Sequence, residues 1–82
     1  MVLREENDDS TLEALISAFR LTRREAEVLH WLTLGKTNRD IAEILGGSPR
    51  TVNKHLEHIF EKLGVETRTA AATLAVNRLR GG

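Results

Sequence analysis

From residue 10 onward, apolar residues recur at three- and four-residue intervals, in blocks separated by Thr, Ser, Gly and Pro, and no block alternates with period two. The pattern predicts an all-α chain. Ser10-Thr-Leu-Glu13 reads as a capping box opening a short helix whose Leu12, Leu15, Ile16 and Phe19 share a face. Thr22-Arg-Arg-Glu25 is a second capping box, with Leu21 placed for a hydrophobic staple to Ala26. Its helix turns Val28, Leu29 and Leu32 inward and stops near Gly35, leaving Trp31 and Leu34 as surface or as contacts for the N-terminal helix.

The stretch from Thr37 to Gly64 is the most sharply punctuated. Thr37 caps a helix from Asn38 to Leu45 with Ile41, Ala42 and Leu45 inward, and Gly46-Gly47 can end it in a left-handed residue. Ser48-Pro49 then supplies an N-cap followed by proline at the first helical position, and Gly64 supplies a stop. The intervening helix would be about 22 Å long. Val52, Leu56, Ile59 and Leu63 form its core stripe, with His55 and Phe60 at the margins; Arg50, Lys54, Glu57 and Glu61 lie opposite, flanked by Asn53. Two helices joined by a glycine-containing turn read as a helix-turn-helix, whose second helix presents its N-terminal residues to base edges in the major groove.

A last helix from about Arg68 to Arg80, capped by Thr67, carries two small-residue stripes. Ala71, Ala75 and Leu79 suit the core, and Ala70, Leu74 and Asn77 suit a partner helix, because alanine lets backbones approach closely; alanine is equally the best helix former. Residues 1–9 are acidic and aperiodic and read as a tail or the end of a linker, so residues 1–20 are set apart from a domain spanning 21–82.

Composition narrows the function classes. Eighty-two residues make one small domain with one core, too small for a large enclosed active site. Without cysteine there is neither a disulfide framework nor a thiolate zinc site, and no apolar run approaches a membrane span or a signal segment, so a soluble cytoplasmic protein is expected. The formal net charge of zero conceals an asymmetry: residues 1–15 hold one arginine against five carboxylates, and residues 16–82 hold eleven basic against seven acidic side chains. The folded part is basic, which suits nucleic-acid binding and equally suits a mixed, solvated surface.

Residues that could carry other chemistry are few. His55 and His58 are three apart, so their helical directions differ by about 60°, and with His30 elsewhere no metal-ligand set forms. Glu25 falls between Val28, Leu29 and Leu32 on an inward face and needs a partner: either its capping-box role suffices, or it pairs with an arginine of another element, for which Arg68 is the first choice. No nucleophile motif or phosphate loop is present and no cofactor is implied, so the chain reads as a non-enzyme.

Leu21-Thr-Arg-Arg-Glu25, Glu27-Val-Leu29, Gly35-Lys-Thr-Asn-Arg-Asp-Ile-Ala42, Ser48-Pro-Arg-Thr-Val52, His55-Leu56 and Lys62-Leu-Gly-Val-Glu-Thr-Arg-Thr-Ala70 together resemble the LuxR-type, GerE-like DNA-binding domain of bacterial transcription regulators. The resemblance covers roughly residues 20–80. It implies a small four-helix helix-turn-helix domain, a tri-helical core plus a C-terminal helix, here with a short extra N-terminal helix. It further implies binding to double-stranded DNA as a dimer, with the helix of about 49–63 in the major groove and the last helix at the dimer contact, through Ala70, Leu74 and Asn77. By position, base contacts fall to Arg50, Asn53, Lys54 and Glu57, and backbone contacts to Thr37, Asn38, Thr51 and His58; the resemblance also supports a Glu25–Arg68 pair. Such domains follow a receiver, sensory or ligand-binding domain, as in a response regulator, and contact with RNA polymerase is a further expectation.

Two departures stand out. Gly47 replaces a branched apolar residue of the turn, which loosens the turn or removes a core contact, and Glu57 and Glu61 occupy a face where many relatives are basic or neutral. Two other readings of the same helices are a protein-interaction module working through Trp31, Leu34 and Leu74, and a promoter-recognition domain like region four of a sigma factor.

Overall fold

The computed structural model describes residues 4–81, with side chains from Ser10 to Arg80, and folds them into five helices: α1 (Arg4–Phe19), α2 (Arg23–Thr33), α3 (Asn38–Leu45), α4 (Pro49–Leu63) and α5 (Arg68–Gly81). No strand occurs among the described residues. The fold is the small all-α helix-turn-helix domain expected from the pattern, with one helix before it.

Side chains fix the helix starts. Thr22 Oγ1 accepts from the Glu25 N–H at 3.1 Å while Glu25 Oε1 accepts from the Thr22 N–H at 3.0 Å. Thr37 and Asp40 repeat this reciprocal box at the start of α3. Ser48 Oγ accepts from the Thr51 N–H at 3.2 Å with Pro49 opening α4, and Thr67 Oγ1 accepts from the Ala70 N–H at 3.0 Å. Each contact satisfies an N–H that helix geometry leaves without a partner. The stops are equally local: Gly46 and Gly64 adopt φ of 79° and 74°, where a Cβ would cost about 1–2 kcal/mol. Gly46 and Gly47 both donate to Ala42 O, and Gly64 and Val65 both donate to Phe60 O.

α2 is the central element, packed against α1, α4 and α5, while α3 packs chiefly on α4. The core joins Val28, Leu29 and Leu32 of α2 to Ile41 and Ala42 of α3, Val52, Leu56 and Ile59 of α4, and Ala71 and Ala75 of α5. Leu15 of α1 is fully buried, with Leu12, Ile16 and Phe19 packed beside it, so the face expected for that helix is the one it buries.

Two local expectations are corrected. α1 begins at Arg4, so Ser10 lies inside the helix and does not cap it. Strong helix formers at Arg4, Glu5 and Glu6 compete with the local cap, and here the longer helix wins. The acidic stretch read as a tail is therefore helical from Arg4 onward; residues 1–3 lie outside the described residues. At its other end α1 stops without a glycine: Arg20 takes φ of 58° and the Leu21 N–H donates to Ile16 O at 3.2 Å. No helix among the described residues is long and apolar enough to cross a membrane.

Candidate nucleic-acid interface

The buried stripe of Val52, Leu56 and Ile59, flanked by half-buried His55, Phe60 and Leu63, fixes the rotation of α4 about its own axis. Arg50, Asn53, Lys54, Glu57 and Glu61 are consequently all exposed. An open groove of about 580 Å³ runs beside α4 and is lined by Arg50, Thr51, Asn53, Lys54, Glu57 and His58, with Thr22 and Glu25 contributed from α2 and its cap. All four residues expected to face bases thus share one surface with two expected to face the backbone. Thr37 and Asn38 stand apart, at the start of α3.

Glu25 is the one buried charged residue described, and its partner differs from the expectation. Lys62 Nζ donates to Glu25 Oε1 at 2.7 Å and to Arg20 O at 3.2 Å, and His58 Nδ1 lies 3.7 Å from Glu25 Oε2. Arg68 is elsewhere: its Nη1 donates to Asn38 Oδ1 and its Nη2 to Lys36 O at 3.0 Å. The Glu25–Arg68 pair is thereby replaced by Glu25–Lys62. The physical reason is packing: the inward face of α2 lies against α4, and Lys62 occupies the last turn of that helix, one turn beyond His58. Lys62 is the residue that sequence reasoning missed: its i, i+4 spacing puts it on the side of α4 that carries His58, but only the packing of α4 on α2 brings that side to Glu25.

The electrostatics of Glu25 follow from these contacts. Burial pushes its carboxyl up. The Lys62 hydrogen bond, the Thr22 N–H and the charges of Lys62 and His58 act against burial and together leave it below its ordinary value. Glu25 is ionised at neutral pH and ties α2, the α1–α2 junction and α4 together at the wall of the groove.

The remaining features are simpler. On α5, Ala71 and Ala75 are fully buried, whereas Ala70 and Leu74 are half-buried and Asn77 is exposed. Arg78 stands over the Phe19 ring at 5.9 Å, joining α5 to α1. Trp31 packs against the core edge, while Leu34 is 57% exposed and Ile44, which the pattern did not single out, is 46% exposed. Gly47 borders a cleft of about 170 Å³ shared with Val28, Ala42, Leu45 and Val52. No group of three or more His, Cys, Asp or Glu side chains suited to a metal ion occurs among the described residues.

Comparison with known proteins bears on this geometry. Residues 20–75 match the family described as bacterial regulatory proteins, LuxR family (GerE). Among similar proteins, the transcriptional activator protein AnoR of Acinetobacter nosocomialis is 48% identical over 56 residues, covering 68% of this chain and 24% of that protein. The CsgBAC operon transcriptional regulatory protein of Escherichia coli strain K12 is 43% identical over 60 residues, or 73% of this chain and 28% of its own. The nitrate/nitrite response regulator protein NarP of the same strain is 44% identical over 54 residues, or 66% and 25%. The chain thus spans about a quarter of the length of the curated relatives it matches. No solved structure matches it. With two thirds of its length matched in helices α2 to α5, the chain belongs to the LuxR family of bacterial regulatory proteins.

Proposed function

We propose that the chain is the DNA-binding part of a bacterial transcription regulator, that α4 enters the major groove, and that two copies bind two half-sites through a contact between their α5 helices. The observation that carries this reading is the division of α4: an apolar stripe buried against α2 and α3, and an exposed polar face beginning at the helix start. Arg50, Asn53, Lys54 and Glu57 are the side chains that reach base edges. Arginine and lysine suit guanine, asparagine suits adenine, and glutamate accepts from the cytosine amino group. Thr37, Asn38, Thr51 and His58 contact phosphates and set the register. Ala70, Leu74 and Asn77 supply the α5 contact, where half-buried small and apolar side chains permit close approach. The names of the relatives, a transcriptional activator, an operon regulatory protein and a response regulator, support a regulatory role. In the proposed reading the whole protein exercises it through further domains, a receiver among the candidates, and through contact with RNA polymerase. Catalysis has no part in it.

The test is selection of duplexes from a random pool with the 82-residue chain, followed by anisotropy titrations on the selected sequence. Arg50→Ala and Lys54→Ala are each expected to weaken binding about 10- to 100-fold, as loss of a bidentate or charge-assisted base contact does, and to relax selection at their own base pair. Log affinity is expected to fall linearly with log salt. Enrichment of no sequence, or unchanged affinity in both variants, would refute the proposal.

A further inference from the structure

We propose that Arg68 is a positioning residue for a phosphate contact made by Asn38. This rests on the DNA-binding reading above and adds to it a residue outside both α3 and α4. Arg68 is the first residue of α5, where a cation opposes the helix dipole. A side chain kept against its local electrostatics points to a task elsewhere. Its guanidinium crosses to the loop that starts α3, with Nη1 on Asn38 Oδ1 and Nη2 on Lys36 O, so the fork joins the two residues that flank Thr37 in the chain. No carboxylate lies within ion-pair distance of Arg68 among the described residues, so its charge is spent on two neutral acceptors.

The chemistry of the two groups dictates the orientation. A guanidinium offers only donors, so the acceptor edge of the Asn38 carboxamide must face it, and the NH₂ is left as the edge available to a ligand. No described group accepts from that Nδ2. What it fits is a negatively charged acceptor, and the uncompensated Arg68 behind it strengthens that preference. On a DNA-binding domain the ligand is a phosphate oxygen, and the contact is sequence-independent. Lysine cannot replace Arg68, because an ammonium does not span two acceptors in a fixed plane. Arg68 also makes the α5 helix part of the interface: a shift of α5 on forming the proposed dimer would move the Asn38 amide.

Because a phosphate contact does not depend on sequence, the test uses the full chain and a mixed-sequence duplex about three helical turns long. Nitrogen-15 NMR of the free protein first reports the pair itself. Arg68→Lys is expected to shift the Asn38 side-chain NH₂ signals, and unchanged signals would overturn the assignment whatever the DNA result. In titrations, Arg68→Lys and Asn38→Ala are each expected to weaken binding about tenfold, and the double variant to bind no more weakly than either alone. Additive losses would show Arg68 touching DNA on its own account and overturn the positioning role. Asn38→Asp separates fold from binding: it keeps an acceptor for Arg68, so its melting temperature holds or rises, yet it presents a carboxylate to phosphate and should bind more weakly than Asn38→Ala. Binding of Asn38→Asp equal to wild type would overturn the proposal. If the NMR coupling is present and the wild-type chain binds no duplex, the failure lies with the DNA-binding reading on which the phosphate contact depends.

Discussion

Gly46 and Gly47 are adjacent, identical and expected to respond to substitution with opposite signs. Gly46 holds φ of 79°, so Gly46→Ala forces a Cβ into the left-handed region and costs about 1–2 kcal/mol. Gly47 is outside that region, and apart from its chain neighbours no atom lies within 4 Å of where a Cβ would stand. Gly47→Ala is therefore expected to stabilise by about 0.4–1 kcal/mol, through the entropy removed from the unfolded chain. Gly47→Val adds two methyl groups beside the cleft of about 170 Å³ formed with Val28, Ala42, Leu45 and Val52. Full burial would contribute about 0.8 kcal/mol per carbon. An open cleft and the loss of rotamer freedom leave about half of that, so the total gain over glycine is roughly 1–2 kcal/mol. For a domain of this size that raises the melting temperature by about 4–16 °C. Calorimetry or urea titration of the three variants checks the order Gly46→Ala below wild type, wild type below Gly47→Ala, and Gly47→Ala below Gly47→Val. A Gly47→Val protein no more stable than Gly47→Ala would show that the cleft does not receive the side chain, and a neutral Gly46→Ala would refute the conformational reasoning outright.

Glu25→Gln is expected to destabilise by about 1 kcal/mol at neutral pH, since the charge-assisted bond from the 36%-exposed Lys62 is weakened by solvent. Because the Glu25 carboxyl is held below its ordinary value, the contribution is fully present above that ordinary value, about 4.5, and lost as pH falls through the lowered folded value. Melts from pH 7 to pH 3 should therefore show the wild-type advantage closing only at the acid end, and an advantage constant across that range would count against the ion pair. Ser48→Ala removes the N-cap of α4 at a cost of about 1 kcal/mol, with hydrogen exchange at the Thr51 N–H accelerating more than at Ile59; equal acceleration at both would argue against a local cap.

The course of α2, α3 and α4 was legible because each boundary depends on a local rule. Thr22, Thr37, Ser48-Pro49, Gly46 and Gly64 act within one turn of themselves, so no tertiary information is needed to place them. Where a rule is local but has a competitor it misleads: the Ser10 box loses to continuation of α1 from Arg4. The pairing of Glu25 belongs to a different class. An inward carboxylate on α2 announces that a cation is needed, but the choice between Lys62 and Arg68 depends on which end of which helix crosses α2 at that level. That is set by packing angles, which side-chain spacing does not encode. The same holds for Ile44, which lies next to Leu45 in the sequence and is left exposed by the way α3 sits on α4.

The acidic residues of α4 bear on how such a domain would bind. Arg50 and Lys54 share the exposed face with Glu57 and Glu61, so the net charge of that face is close to zero. A helix of this kind gains little from phosphate attraction alone, which is the term that supplies most non-specific binding. Glu57 would also have to meet a cytosine amino group to offset its desolvation. On the proposed function, a single copy would then bind weakly and discriminate mainly through base edges, and useful affinity would come from adding the free energies of two half-sites held in register by α5. The domain would be tuned so that occupancy follows its own assembly, and the Arg68–Asn38 hydrogen bond would be the route by which α5 reports that assembly to the proposed α3 phosphate contact.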